Sequence, residues 1–203
     1  MEPAQQTRIV GLTGGIATGK TAVARLFEKH GALVIDADRA AHRAYRPGTQ
    51  LYRDILRRYG REILAPDGSI DRKKLGAILF RSKPERLWLE ARIHPETRRL
   101  IGREIQTALR RGRRLILVEA ALHVETGYHR PFHGLIVVDA QPQIQIERLR
   151  RREGLSRAEA LAKIRSQMPR RRKLAAADWV IDNSGSLAST ERQVRNLVRE
   201  LKR

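Results

Sequence analysis

The stretch Gly14-Gly15-Ile16-Ala17-Thr18-Gly19-Lys20-Thr21 constrains this chain more than any other. It satisfies G-x-x-x-x-G-K-[ST]. It lies between a β-leaning apolar run at residues 7–12 (TRIVGL) and a helical pattern carrying Val23, Leu26 and Phe27. Strand, glycine loop and helix in that order build a phosphate cradle. Glycines let the backbone wrap an anion with its N–H groups inward, and the helix adds its positive end. Lys20 is placed to reach the β- and γ-phosphates, and the Thr21 hydroxyl to ligate Mg²⁺ directly. Backbone N–H groups of Thr18, Gly19, Lys20, Thr21 and Ala22 are expected to supply most phosphate hydrogen bonds, with Gly14, Gly15 and Ala17 shaping the loop. The dinucleotide pattern G-x-G-x-x-G does not occur, so the site reads as one for a nucleoside triphosphate.

A strand that feeds such a loop needs parallel neighbours. Gly31 closes the first helix and ALVID (32–36) follows as a second strand, a βαβ start that implies parallel pairing. LILV (115–118) and LIVV (135–138) are short and continuously apolar, as strands buried on both faces are. Each runs into an acid, Glu119 and Asp139. WVI (179–181) is the fifth strand, and Val194, Leu197, Val198 and Leu201 mark a final amphipathic helix. The expected fold is α/β, a five-stranded parallel sheet flanked by helices.

Between strands two and three the pattern turns helical for too long to be a simple crossover. Leu51, Ile55 and Leu56 form one stripe, Leu75, Ile78 and Leu79 another, with a turn at Pro66-Asp67-Gly68. A third stripe, Leu87, Leu89 and Ile93, is expected to stop before Pro95. A separate one through Ile101, Ile105, Ala108 and Leu109 runs to Gly112. Residues of about 40–112 therefore read as a helical insertion. The core is expected at 7–38, 113–140 and 177–203, with an arginine-rich lid at about 145–176 that includes a capping box, Ser156 to Glu159.

Composition narrows the setting. Zero cysteines exclude disulfides, thiolate metal sites and cysteine nucleophiles. No apolar run reaches membrane-spanning length and residues 1–8 lack a secretory pattern, so a cytoplasmic protein with no membrane partner is expected. Forty-two Lys and Arg against 22 Asp and Glu give a net charge of +20, a field that attracts polyanions. Only 4% of residues are aromatic and the arginine runs are dispersed, whereas single-strand binders interleave aromatics for base stacking. Specific nucleic-acid recognition is not expected, although the +20 charge allows weak incidental binding. Oligomeric state is not legible.

Among P-loop classes, a GTPase would carry N-K-x-D, which is missing, and no second motor motif occurs. A small-molecule kinase remains. Asp36 and Asp38 are two apart, so in an extended segment both face the same side. They sit beyond the second strand, at the edge where open α/β sheets place ligands. One carboxylate can hold a metal-bound water while the other accepts a proton from an attacking hydroxyl. Alternatively, Asp38 N-caps the helix that follows.

The ordered motifs resemble those of the dephospho-CoA kinase family. Residues 11–21 (GLTGGIATGKT) match the family opening, and Asp36-Ala37-Asp38 its D-A-D. His94-Pro95 matches a His-Pro pattern, and residues 119–125 (EAALHVE) loosely match [DE]-x-P-L-L-x-E. Gln145 and Arg148 lie in the helix after strand four. Residues 163–167 (KIRSQ) align with R-[IM]-x-x-Q, and residues 177–181 (ADWVI) with A-D-x-V-I. The likeness runs from about residue 8 to 185. Ala17 stands where the family commonly has glycine, Ala121 and His123 where proline and leucine are usual, and Lys163 where arginine is.

What the resemblance implies is a P-loop kinase fold and transfer of the ATP γ-phosphoryl group, with Mg²⁺, to the ribose 3′-hydroxyl of dephospho-CoA. Under it, Asp38 receives or orients the hydroxyl proton and Lys20 serves the phosphates. Asp36 supports Mg²⁺ through water or orients Asp38, and Glu119 does similar supporting work. Arg148 and Arg152 neutralise phosphate charge when the lid closes. The insertion binds the acceptor, with His94 either touching it or packing. The alternatives are another P-loop nucleoside or nucleotide kinase and, from a different class, a P-loop nucleic-acid-binding regulator.

Overall fold

The computed structural model describes residues 7–203. Five strands form one parallel sheet in the order β2-β3-β1-β4-β5: β1 Arg8–Gly14, β2 Leu33–Asp36, β3 Leu115–Glu119, β4 Leu135–Asp139 and β5 Trp179–Asp182. β1 is central because it pairs with β3 on one side and β4 on the other. Every residue of β3 and β4 is buried, as their unbroken apolar runs require.

Helix α1 (Lys20–Lys29) follows the cradle and stops at Gly31, whose φ of 84° favours glycine. The next helices are α2 (Ala37–Ala44), α3 (Gln50–Tyr59), α4 (Arg72–Arg81) and α5 (Lys83–Arg110), with a short 3₁₀ turn at Arg61–Ile63. Then come α6 (His123–Thr126), α7 (Pro142–Glu153), α8 (Arg157–Arg165), α9 (Arg170–Ala175) and α10 (Leu187–Leu201). Pro142 opens α7, and Ser156 with Glu159 completes the capping box of α8.

Among the described residues two compact units emerge, one formed by residues 7–36 together with Thr107–Arg203 and the other by Ala37–Gln106. The first contains the sheet. Its core joins Val10, Leu12, Leu117 and Ile136 to Phe27 of α1 and Val194, Leu197 and Leu201 of α10. The helical unit has its own core around Leu51, Ile55, Leu75 and Leu89. Against the expected insertion of about 40–112, it begins at Ala37 and so takes in Asp38.

Two local expectations are corrected. The stripes expected on either side of Pro95 belong to one 28-residue helix, α5, with Pro95 inside it. An interior proline removes one helical hydrogen bond and costs about 3 kcal/mol. Leu89, Ile93 and Leu100 pack into the same core from both sides of it, and that burial offsets the loss. The second correction concerns the acids: Asp36 ends β2, but Asp38 lies in the first turn of α2. Strand alternation therefore does not relate the two carboxylates, and Asp38 is not the helix cap.

Candidate active site

β1 delivers the chain to the loop, and sterics explain most of the glycines. A Cβ on Gly14 would come within 2.7 Å of both the Val138 carbonyl oxygen and Thr18 Oγ1. Gly19 has φ 88°, and a Cβ there would lie 2.1 Å from Asn183 Nδ2. Gly15 is different, since its Cβ would meet nothing closer than 3.5 Å. Ala17 adopts φ 57°, the only non-glycine residue with positive φ among those described. A side chain in that region is strained by about 1–2 kcal/mol, which accounts for the glycine common in relatives of the motif.

Side chains from distant segments hold the loop in this shape. Thr18 Oγ1 donates to the Gly15 carbonyl at 2.9 Å. Arg148 of α7 donates to the carbonyls of Ala17 (3.2 Å), Thr18 (3.1 Å) and Asn183 (2.8 Å). Asn183 Nδ2 also donates to the Thr18 carbonyl at 2.7 Å, and its own Oδ1 accepts from Thr190 Oγ1 of α10 at 2.9 Å. Gln167 Oε1 accepts the Ile16 N–H at 2.7 Å. Arg148, expected on phosphate, is thus committed to three backbone oxygens and shapes the cradle. Asn183 was legible only as a turn residue and Gln167 only as part of a motif.

Charge is arranged at the carboxyl ends of the strands. Lys20 Nζ and Glu119 Oε1 lie 2.7 Å apart, with side chains only 16% and 9% exposed. Asp36 is the register partner of Glu119 on the neighbouring parallel strand. The two acids that end β2 and β3 are therefore side by side, close to the first turn of α1 through Lys20. Thr21 is the second residue of that helix.

The segment after Glu119 is fastened from another direction. Lys173 of α9 is 4% exposed; its ammonium lies 2.8 Å from Glu125 and donates to the Ala121 carbonyl at 3.0 Å. Thr13 Oγ1 donates to the same carbonyl at 3.2 Å. Within this segment His123 is fully buried and donates its Nε2 hydrogen to the Val118 carbonyl at 2.7 Å. Its Nδ1 is buried without a partner, and Tyr128 and Phe132 flank the ring. Burial pushes the His123 pKa down to about 4, opposed in part by its bond to Val118.

A cavity of about 280 Å³ opens beside the loop, lined among others by Gly15, Thr18, Gln145, Gln167 and Arg170. Arg170 makes a two-pronged bond to Asp139, the acid ending β4, which raises the guanidinium further above its ordinary range. Arg152 instead is exposed and holds the adjacent Glu153, to which Lys163 also pairs at 2.6 Å. Lysine in place of the family's arginine thus serves an ion pair between α7 and α8. His94 is an exposed residue of α5 in the helical unit.

These features have close counterparts elsewhere. The dephospho-CoA kinase family model matches residues 8–189. A dephospho-CoA kinase of Bacillus licheniformis is 41% identical over 192 residues, covering 95% of this chain and 96% of the relative. One from Synechocystis is 43% identical over 190 residues, covering 92% of each. Among solved structures, the dephospho-CoA kinase from Campylobacter jejuni superimposes with a TM-score of 0.74 at 27% identity, covering 96% of both chains. A shikimate kinase from Bacteroides thetaiotaomicron, at 13% identity and TM-score 0.57, shares the fold. Likeness at this level, over nearly its full length, means that the chain belongs to the dephospho-CoA kinase family.

Proposed function

We propose that the chain transfers the γ-phosphoryl group of ATP to the ribose 3′-hydroxyl of dephospho-CoA, in the cytoplasm, giving coenzyme A and ADP. The observation that carries this reading is the Lys20–Glu119 pair at the mouth of the cradle, with Asp36 in register beside it. Cation and acids meet beside the glycine loop, where an open α/β sheet places a nucleotide.

The chemistry divides among the residues by their position. The loop amides from Gly19 to Ala22 hold phosphate oxygens, the expected Thr18 N–H being given instead to the Gly15 carbonyl at 3.3 Å, and Lys20 leaves Glu119 for the β- and γ-phosphates. Thr21 and Asp36 offer the hard oxygens that suit Mg²⁺, Thr21 directly and Asp36 through water. When bound, that ion spreads the negative charge of the transferring group. Asp38 accepts or orients the proton of the attacking hydroxyl. Arg148 acts as a positioning residue by fixing the carbonyl side of the loop, and Arg152 would have to leave Glu153 to approach phosphate. Neither His94 nor the basic surface is needed for a chemical step.

An acceptor panel tests the reading. With Mg·ATP, ADP release is expected with dephospho-CoA and not with AMP, and the product is coenzyme A. Turnover with AMP alone, or salt-sensitive RNA binding without turnover of any acceptor, would overturn it.

A further inference from the structure

The crown of the cradle, Ile16 and Ala17, packs on an apolar cluster separate from the core of the sheet. Ile146 and Leu149 of α7 and Ala160 of α8 build that cluster, and Leu161 and Ile164 of α8 pack against it. Two polar bonds from the same stretch hold the backbone on either side of the crown. Gln167 accepts the Ile16 N–H at 2.7 Å, and Arg148 of α7 donates to the Ala17 carbonyl at 3.2 Å.

The conformation of Ala17 adds a second observation. Its φ of 57° is the only positive value at a non-glycine residue among those described. Strained conformations persist where the surroundings over-determine them, and they gather at functional sites. The constraint does not come from crowding at the start of the loop. A Cβ on Gly15 would meet nothing closer than 3.5 Å, and one of its two nearest atoms would be Gln167 Oε1. The crown is therefore held from α7, α8 and Gln167, by side chains and by backbone bonds together.

We infer that Ile16 and Leu161 are positioning residues for ATP: the apolar cluster of α7 and α8 is the scaffold on which the phosphate loop is set. Ile16 is the key that seats the loop there. Leu161 reaches the nucleotide only through that packing and touches none of its atoms. A loop already fixed in its binding shape avoids an ordering cost when the ligand enters, so loosening the scaffold weakens ATP and leaves the acceptor alone. This rests on the function proposed above, which makes ATP the cradle's ligand.

Three variants test it in steady-state assays with ATP and dephospho-CoA. Ile16→Ala withdraws the key and is expected to raise the KM for ATP about tenfold. Leu161→Ala trims the scaffold on a half-buried position of α8 and is expected to raise it about fivefold. In both, kcat and the KM for dephospho-CoA are expected to stay within about twofold. Ile16→Val keeps the apolar contact and most of the side chain's volume, and should retain the wild-type KM for ATP. A merely structural role would lower Tm without separating the two substrates. An unchanged KM for ATP in Ile16→Ala or Leu161→Ala, or an equal rise in the KM for dephospho-CoA, overturns the inference. Failure of the wild-type chain to phosphorylate dephospho-CoA would instead strike the proposed function.

Discussion

Around the phosphate cradle, polar side chains reach out to backbone. Arg148 and Asn183 hold the loop's carbonyls, Gln167 holds one of its N–H groups, and Lys20 is paired to a nearly buried acid. In the helical unit, a groove lined by Ala44, Leu51, Ala91 and Pro95 has its charged side chains engaged with neighbours on their own helices. The first region commits its polar groups to fixing a shape for a highly charged ligand. The second cancels its charge and leaves apolar surface.

The largest effect is expected where the cradle's shape is attacked directly. Gly19→Ala puts a Cβ on Asn183 in a φ region that penalises side chains, and should destabilise by about 3 kcal/mol or more. Thermal unfolding and ATP titration check this, and a variant with wild-type stability and ATP affinity would remove the steric account.

The buried His123 should give the next largest effect, and it depends on pH. Its folded value of about 4 lies below the ordinary 6.5, so the unfolded chain takes up a proton first as pH falls. The stability that His123 contributes is therefore full above about 6.5, declines between 6.5 and 4, and is lost below 4, a total of about 3 kcal/mol. His123→Leu should flatten that slope in a pH series of urea unfolding curves; an unchanged slope would show that another group governs it.

Lys173→Met leaves Glu125 without its partner and should cost about 2–3 kcal/mol, below the full range for a buried pair because Glu125 is partly exposed. Adding Glu125→Gln should recover much of that loss. A double variant less stable than Lys173→Met would contradict the pairing. The smallest effect is expected for Ala17→Gly. It relieves the positive φ and should stabilise by up to about 1 kcal/mol, the relief being partly offset by glycine's greater freedom when unfolded. Thermal unfolding measures it, and a lower Tm would show that Ala17 carries no strain.

What could be read in advance follows from how local the signal is. The cradle is a contiguous motif, and β3 and β4 declare themselves because burial on both faces leaves only apolar residues. The supports of the cradle could not be read this way. Arg148, Gln167 and Asn183 reach it from 130 to 165 positions away, and nothing in their local patterns marks the contact. Pro95 misleads for a related reason, since the rule that it ends helices yields to packing contributed by residues on both sides. Asp38 misleads because the strand ends two residues before it, where alternation no longer applies.

In the proposed function ATP belongs to the cradle, and Asp38 of the helical unit serves the acceptor's hydroxyl. Asp38→Asn tests it most directly, with kcat measured beside the equilibrium affinity for ATP. A fall in kcat of about a thousandfold, with ATP affinity within twofold of wild type, is predicted. A wild-type kcat, or a loss of ATP binding that accounts for the lost rate, would contradict it.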